Sequence, residues 1–270
     1  MIGQYQTQVP VVTKKATPET IINDPGATLA RIRPEVALPG YWENLLENCK
    51  VWAGLVESAA FWREVKSNKE AWRNEYFQST GSSLLCNPVL PPFEAKGIRR
   101  IQEKLLESHE AKKLVFPVEG PPVPILNDLV RTRISCLYID GVEFLGSKLL
   151  ETGKAFGANP VRTREGTIDG YFAQHLTFQE DVFFGLGGGK QPVRITCEVQ
   201  IASLLATRMW EASHPHYEIA RKGEGAPEEW QWNPKDPRFL ARQLGHMIHL
   251  ADGLLMQLRE ASGTQGLKKD

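Results

Sequence analysis

Two polar side chains occupy one face of the clearest strand pattern in the chain. Along residues 195–201 the apolar residues fall on the odd positions, which is the period of a β-strand, so Glu198 and Gln200 share a face. A carboxylate and an amide held side by side on a rigid strand can bind a metal ion or position a nucleophile. A solvent-facing edge strand would show the same spacing, and the pattern by itself leaves both interpretations open.

Tyr171 and His175 form a second pair of this kind. They are four residues apart on a predicted strand and therefore share a face. A tyrosine ring can stack on a nucleobase, an interaction that contributes about 1–3 kcal/mol per base, and an imidazole can donate a hydrogen bond to a phosphate. The alternative is an ordinary pair of side chains that fills the surface of a sheet.

A second carboxylate, Asp128, precedes residues 133–139, the most strongly strand-like apolar segment of the chain. Transfer of a phosphoryl-type group needs carboxylates that hold Mg²⁺, because the ion bridges phosphate oxygens and neutralises the charge that develops on them. Asp128 and Glu198 are candidates for this role. Each could instead be a surface acid or a helix cap.

The elements that must position these residues are helices alternating with a few strands. Helices are predicted over residues 41–78, 97–113 (in part), 142–156, 202–221 and 239–261. Strands are predicted over 133–139, 168–184 and 193–201, the last two joined by the glycine-rich residues 185–192. Residues 1–40 read as an extended arm, and 116–126 and 222–237 as connectors. We therefore predict an α/β (α+β) fold, with one domain over residues 41–270 built on a small mixed sheet.

Composition excludes several classes of protein. The 32 basic and 32 acidic side chains balance, so no overall field attracts nucleic acid or an anionic membrane. No apolar run approaches the roughly 20 residues that span a bilayer, and no secretory signal is visible. The four cysteines lack CxxC spacing and are expected to be buried thiols. These features predict a cytoplasmic protein.

In chain order, these residues resemble the RelA/SpoT-type nucleotide pyrophosphokinase domain. The family's GYxxxH strand matches Gly170, Tyr171 and His175, and its E-[IV]-Q-I strand matches residues 198–201. Its D-[IL]-x-G-x-R-[IV] segment is similar to residues 128–134. Asp140 then follows at the family's spacing, and Trp210, His214 and Tyr217 match the end of its helix. The matched elements span about residues 97–222.

The resemblance implies a nucleotidyltransferase-like domain that transfers pyrophosphate from ATP to the 3′-hydroxyl of an acceptor and releases AMP. It assigns Mg²⁺ to Asp128 and Glu198, and Glu198 would also accept the proton of the attacking hydroxyl. GDP or GTP is the expected acceptor, which would make the product an alarmone of the stringent response. Replacing either carboxylate by its amide is expected to abolish transfer and leave the fold intact.

The resemblance also implies the positions of the two nucleotides. Arg133 would pack on the adenine of ATP. Arg100, at the place of the family's R-x-K-S element, and Lys104 would bind the ATP phosphates. Tyr171 and His175 would bind the acceptor nucleotide. We expect all of these side chains to line one cleft with the two carboxylates.

Several positions depart from the family pattern. Gln102 replaces the lysine of the R-x-K-S element, and Arg131 replaces the glycine two residues before the motif arginine. Ala202 and Ser203 stand where the family has Arg-Thr. The missing basic groups would normally bind the acceptor phosphates.

Three basic residues, Arg162, Arg164 and Lys190, are then expected to bind the acceptor phosphates. With them, a free purine nucleotide is favoured as the acceptor, because a tRNA would need a wider basic surface than a neutral chain offers. Two alternatives stay open. One is a toxin-type family member that modifies adenine nucleotides or the tRNA 3′ end. The other is a non-catalytic nucleotide-binding or interaction protein. A homo-oligomer or an antitoxin partner is compatible with any of these functions.

Overall fold

One mixed five-stranded sheet forms the centre of the fold. The computed structural model describes residues 25–165, 170–186, 189–221 and 229–266. The strands are β1 (Glu94–Ala95), β2 (Val130–Cys136), β3 (Val161–Glu165), β4 (Ala173–Leu186) and β5 (Gly189–Ser203). Their order is β1-β2-β5-β4-β3, with β2 parallel to β5 and the other neighbours antiparallel. The predicted α/β class with a small mixed sheet is confirmed.

Seven α-helices surround this sheet in the described residues. They are α1 (Pro25–Ile32), α2 (Tyr41–Ser58), α3 (Ala60–Thr80), α4 (Ile98–Glu110), α5 (Ile139–Ala155), α6 (Leu204–Arg221) and α7 (Pro237–Gly266). Two short 3₁₀ helices, Pro34–Ala37 and Glu229–Trp232, complete the described elements. None of these helices combines the length and the hydropathy of a membrane span.

Aromatic side chains of α2 and α3 fill the core on one face of the sheet. Trp52 and Trp62 are fully buried. The ring of Phe61 meets that of Phe178 on β4 edge to face at 5.1 Å, and the rings of Trp62 and Phe93 meet at 4.8 Å. Each such pair contributes about 0.5–1.5 kcal/mol beyond its area burial. The aromatic stripe of this region is therefore core packing.

The predicted helix over residues 41–78 is two helices. The backbone of Ala59 is extended, with φ −63° and ψ 152°, and it separates α2 from α3. The apolar spacing continues across this break because both helices bury their stripes in the same core. Periodicity alone could not locate the break, since neither proline nor glycine marks it.

Part of the predicted extended arm is helical. Residues 25–37 contain α1 and a 3₁₀ turn, and they bury Leu29 and Val36 in the core. The guanidinium of Arg33 donates hydrogen bonds to the carbonyl oxygens of Pro117, Val118 and Gly120. The prediction of an extended arm was wrong for residues 25–37, because their long-range contacts stabilise helical structure in spite of a composition rich in Pro and Gly. Residues 1–24 lie outside the described part of the chain.

The long β4–β5 hairpin differs from its predicted bounds. β4 begins at Ala173, later than the predicted 168, and residues 185–186 and 189–192 belong to the paired strands. The glycine-rich segment is therefore mostly strand rather than turn. β5 is the third strand in the sheet order, with β2 and β4 on either side. The edge-strand interpretation of Glu198 and Gln200 is wrong, since both side chains are buried.

The C-terminal helix α7 is fastened to the body of the fold by Arg259. Its guanidinium pairs with the carboxylate of Asp140 at the start of α5, with N–O distances of 2.8 and 3.2 Å. It also donates a hydrogen bond to the hydroxyl of Tyr76 on α3 at 3.0 Å. Asp140, which follows the motif arginine at the family's spacing, thus joins α5 to α7.

Candidate active site

Cross-strand pairing gathers the candidate residues on one face of the sheet. Arg131 and Arg133 of β2 lie opposite Glu198 and Gln200 of β5, and His175 of β4 lies opposite Gln200 from the other side. Directly opposite residues point to the same side of a sheet. The buried apolar positions of the same strands alternate with these residues and face the core.

Asp128 lies in the loop before β2 and is almost completely buried. Its Oδ2 lies 2.5 Å from Nζ of Lys96 and 2.9 Å from Nζ of Lys104, and a guanidinium nitrogen of Arg131 is 3.8 Å away. Burial raises the pKa of Asp128, but the charges and hydrogen bonds of the two lysines outweigh it and bring the pKa below its ordinary value. Asp128 is therefore an ionised carboxylate inside a cluster of three cations.

Lys96 is the site residue that sequence reasoning missed. It directly follows β1, and its backbone N–H continues the pairing by donating to the carbonyl of Leu129 at 2.9 Å. Burial lowers the pKa of its ammonium group to about 8, against the opposing effect of Asp128. The only local signal is a lone lysine beside Gly97, at the start of a helix.

The two basic residues predicted to bind ATP phosphates lie on α4 and make different ion pairs. Lys104 contacts Asp128, as described above. A guanidinium nitrogen of Arg100 is 3.0 Å from a carboxylate oxygen of Glu103. Lys104 is therefore part of the cationic cluster.

Glu198 is held by a neighbour on each side. Its Oε1 lies 3.1 Å from Nδ1 of His175, and its Oε2 accepts a hydrogen bond from Nε2 of Gln200 at 2.6 Å. Burial raises the pKa of Glu198, but the hydrogen bond and charge of His175 together with Gln200 outweigh it, so the pKa lies below its ordinary value. The negative charge of Asp128 opposes this lowering.

Arg133 bridges the sheet and α6. Its Nε and Nη2 donate to Oε1 of Gln200 at 3.1 and 2.8 Å, and its guanidinium lies 3.8 Å from the ring centre of Trp210. Burial lowers the pKa of Arg133. A cleft of about 320 Å³ opens beside it, lined by Pro91, Pro92, Glu94, Arg131, Thr132, Arg133, Gln200 and Trp210. An aromatic ring of a ligand could enter this cleft and contact the guanidinium plane.

Tyr171 precedes β4 and faces the same region. Its ring lies 6.0 Å from the ring of His175 and 6.4 Å from that of Trp210. The side chains of His214 and Tyr217, which contribute to the family resemblance, lie outside the described part of the structure.

Asp128 and Glu198 lie on the same side of the sheet, because Arg131 contacts the first and is the register partner of the second. The two carboxylates, Arg133 and His175 therefore lie on one side of the sheet, as expected. The described cleft borders only the Arg133 side of this group, and neither carboxylate is among its lining residues.

Three of the expected acceptor contacts do not belong to this site. Arg162 lies opposite Leu176, which faces the core, and both Arg162 and Arg164 pair with Glu143 of α5 at 2.9 and 2.8 Å. They therefore lie on the opposite face of the sheet from Glu198. Lys190 is eight residues from Glu198 along β5, a distance of about 26 Å at the usual rise of an extended strand. The prediction that these residues bind the acceptor phosphates was wrong, because sequence proximity revealed neither the face on which Arg162 and Arg164 lie nor the distance of Lys190 along β5.

The carboxylate pair fits a magnesium ion that is shared with a substrate. Among the described residues there is no group of three or more His, Cys, Asp and Glu side chains arranged as a complete metal site. However, Oδ1 of Asp128 is buried and accepts no hydrogen bond from the part of the chain that the structure describes. Mg²⁺ usually keeps several waters and binds through one or two carboxylates together with substrate phosphates. Asp128 and Glu198 can supply such a partial ligand set.

Solved structures with a similar fold include small alarmone synthetases. Small alarmone synthetase 1 from Bacillus subtilis superposes with a TM-score of 0.54 at 15% sequence identity, over 83% of this chain and 99% of that one. The same enzyme bound to its product pppGpp gives a TM-score of 0.52 at 16% identity, over 82% of this chain and 98% of that one. This chain has the small alarmone synthetase fold. No protein-family model and no curated protein matches the sequence.

The small alarmone synthetase fold confirms the RelA/SpoT-type resemblance at the level of architecture. Most motif residues that carry the resemblance fall on β2, β4, β5 and α6 or directly before β2 and β4, and Asp140 falls on α5. The catalytic and binding roles of individual side chains remain predictions.

Proposed function

We propose that the protein transfers pyrophosphate from ATP to the 3′-hydroxyl of a purine nucleotide and releases AMP. The observation that carries this proposal is the pair of buried carboxylates, Asp128 and Glu198, on one face of the sheet. Asp128 lies within a cluster of cations, and Glu198 contacts His175, whose ring is 6.0 Å from that of Tyr171. The small alarmone synthetase fold supports the same reaction.

The cations around Asp128 suit a triphosphate donor. Lys96, Lys104 and Arg131 converge on one carboxylate oxygen, so their charge exceeds what Asp128 can neutralise. Arg133, stacked on Trp210 beside the cleft, would hold the adenine. Asp128 and Glu198 would hold Mg²⁺, which when bound neutralises charge on the phosphates.

Glu198 is suited to act as the general base. Its lowered pKa keeps it ionised near neutral pH, and His175 and Gln200 fix the orientation of its carboxylate. The acceptor's 3′-oxygen would attack the β-phosphorus of ATP and give its proton to Glu198. The bond between the β-phosphorus and the oxygen that joins it to the α-phosphorus would break, and AMP would leave with that oxygen. Most of the acceleration would come from positioning and electrostatic stabilisation.

The acceptor base would stack on Tyr171. Because a tyrosine ring holds any purine, this contact does not choose between guanine and adenine. The Bacillus subtilis small alarmone synthetase 1 binds pppGpp as its product, which supports GDP or GTP as the acceptor. Arg162 and Arg164 pair with Glu143, so other groups would bind the acceptor phosphates.

The decisive test is incubation of the protein with β-labelled ATP and Mg²⁺, with GDP, GTP, adenine nucleotides or tRNA supplied separately. We expect label on GDP or GTP, a reduced yield with Tyr171→Ala, and retention of activity with Tyr171→Phe, which keeps the stacking ring. Added tRNA should leave the yield unchanged. Label only on tRNA or on adenine nucleotides would assign the chain to the toxin-type alternative. Absence of transfer to every acceptor would favour a non-catalytic binding protein.

Arg131, which stands where the family has glycine, is expected to bind the donor's phosphates. We predict that Arg131→Gln weakens binding of a non-hydrolysable ATP analogue by about 10- to 100-fold, the usual range for a lost charged hydrogen bond. Affinity for AMP, which lacks the β- and γ-phosphates, should change much less. Isothermal titration calorimetry measures both affinities. Equal weakening of both nucleotides would place Arg131 outside the phosphate site.

A further inference from the structure

The chain on both sides of Tyr171 is held by α7. Gly170 has φ +68°, and a Cβ atom there would lie 2.4 Å from the carbonyl oxygen of Arg242. A Cβ atom on Gly245 would lie 2.1 Å from the carbonyl oxygen of Gly170. The two backbones are therefore in direct contact, and only glycine can occupy both positions.

Phe172, on the other side of Tyr171, packs on the same helix. Its ring stacks on the imidazole of His249, with 3.6 Å between ring centres and 2° between planes, and meets the ring of His246 edge-on at 5.4 Å. Gly245 and His249 are four residues apart, so they lie one turn apart on one face of α7.

The ring of Tyr171 faces the opposite way. Its neighbours are His175 at 6.0 Å and Trp210 at 6.4 Å, both within the candidate active site. Gly170 and Phe172 thus bind the helix, and the residue between them projects toward the site.

We propose that α7 positions the acceptor-stacking tyrosine, and that Gly245 and His249 are the positioning residues. This inference rests on the proposed function, which gives Tyr171 its substrate. Since α7 is itself fastened to α5 and α3 through Arg259, the tyrosine is ordered before the acceptor arrives. Ordering a contact group in advance removes an entropic cost from binding.

His249→Ala tests the proposal because it removes the stack on Phe172 and touches no substrate. We expect the KM for the acceptor nucleotide to rise by about 2- to 10-fold, the usual range for a lost aromatic pair, with kcat and the KM for ATP unchanged. His249→Phe keeps a stacking ring and should retain a wild-type KM. The matched control is Leu250→Ala, the next residue on α7, whose side chain is 65% exposed.

Hydrogen exchange in the free protein gives a readout that does not depend on catalysis. In His249→Ala, and more strongly in Gly245→Ala, a peptide containing Tyr171 should exchange faster than in wild type, while peptides from β2 remain unchanged. Unchanged exchange around Tyr171 would overturn the proposal, as would equal effects of His249→Ala and His249→Phe on the acceptor KM. Loss of protection around Tyr171 in a protein that transfers pyrophosphate to no acceptor would support the positioning role and refute the proposed function.

Discussion

Glu198→Gln is expected to lower kcat for pyrophosphate transfer by about 10²- to 10⁴-fold, the usual contribution of a positioned general base. The amide has nearly the same shape as the carboxylate, but it neither accepts a proton nor carries the negative charge that Mg²⁺ requires. It can still accept a hydrogen bond from one of its neighbours, His175 or Gln200, so the fold should be retained. Initial rates at saturating ATP and acceptor measure the effect.

The control for this variant is Glu180→Gln, the same chemical change on β4 at a position that belongs to no part of the site. Its rate should match that of the wild type. Binding of an ATP analogue to Glu198→Gln should remain measurable, which would separate loss of chemistry from loss of structure. A Glu198→Gln rate within a few-fold of wild type would remove Glu198 from the role of base.

Asp128→Asn is expected to abolish transfer and also to destabilise the fold, by about 3–5 kcal/mol in the free energy of unfolding. The stability loss departs from what the sequence alone predicts for this variant. It arises because Lys96 and Asp128 are both buried and paired at 2.5 Å, so removal of the carboxylate leaves a buried ammonium group without its counter-charge. Urea unfolding followed by circular dichroism measures the stability change.

Two further variants separate stability from activity at Asp128. Lys96→Met combined with Asp128→Asn removes both charges and should recover most of the lost stability, yet remain inactive. Lys104→Met removes a cation whose side chain is 41% exposed, and it should change stability by no more than about 1 kcal/mol. If Asp128→Asn unfolds at the same urea concentration as wild type, the buried pair does not stabilise the fold.

The sequence predicted the parts of the site that depend on local periodicity. The alternation along residues 195–201 placed Glu198 and Gln200 on one face, and the structure has them there. The spacing of Tyr171 and His175 likewise placed them together, and their rings are 6.0 Å apart. Such relations are fixed within a single strand, so they can be derived without knowing how strands pair.

What the sequence could not supply depends on contacts between distant segments. Lys96 reaches Asp128 because β1 pairs with β2, and no local sequence pattern predicts a strand of two residues. The assignment of Arg162 and Arg164 to the acceptor failed for a similar reason, since Glu143 lies across from them on a different element. The central position of β5 in the sheet could not be predicted either, because the alternation of apolar and polar residues along a strand does not indicate strand order.

The central position of β5 constrains Glu198 more tightly than Tyr171 is constrained. Glu198 is flanked by β2 and β4, so it cannot move without disturbing three strands at once. Tyr171, in contrast, belongs to a short segment that is seated against a helix from outside the sheet. In the proposed function, the transfer step and the binding of the acceptor base therefore depend on separate parts of this architecture. Substitutions in that segment and in α7 could then change the affinity for the acceptor, while the two carboxylates stayed in place.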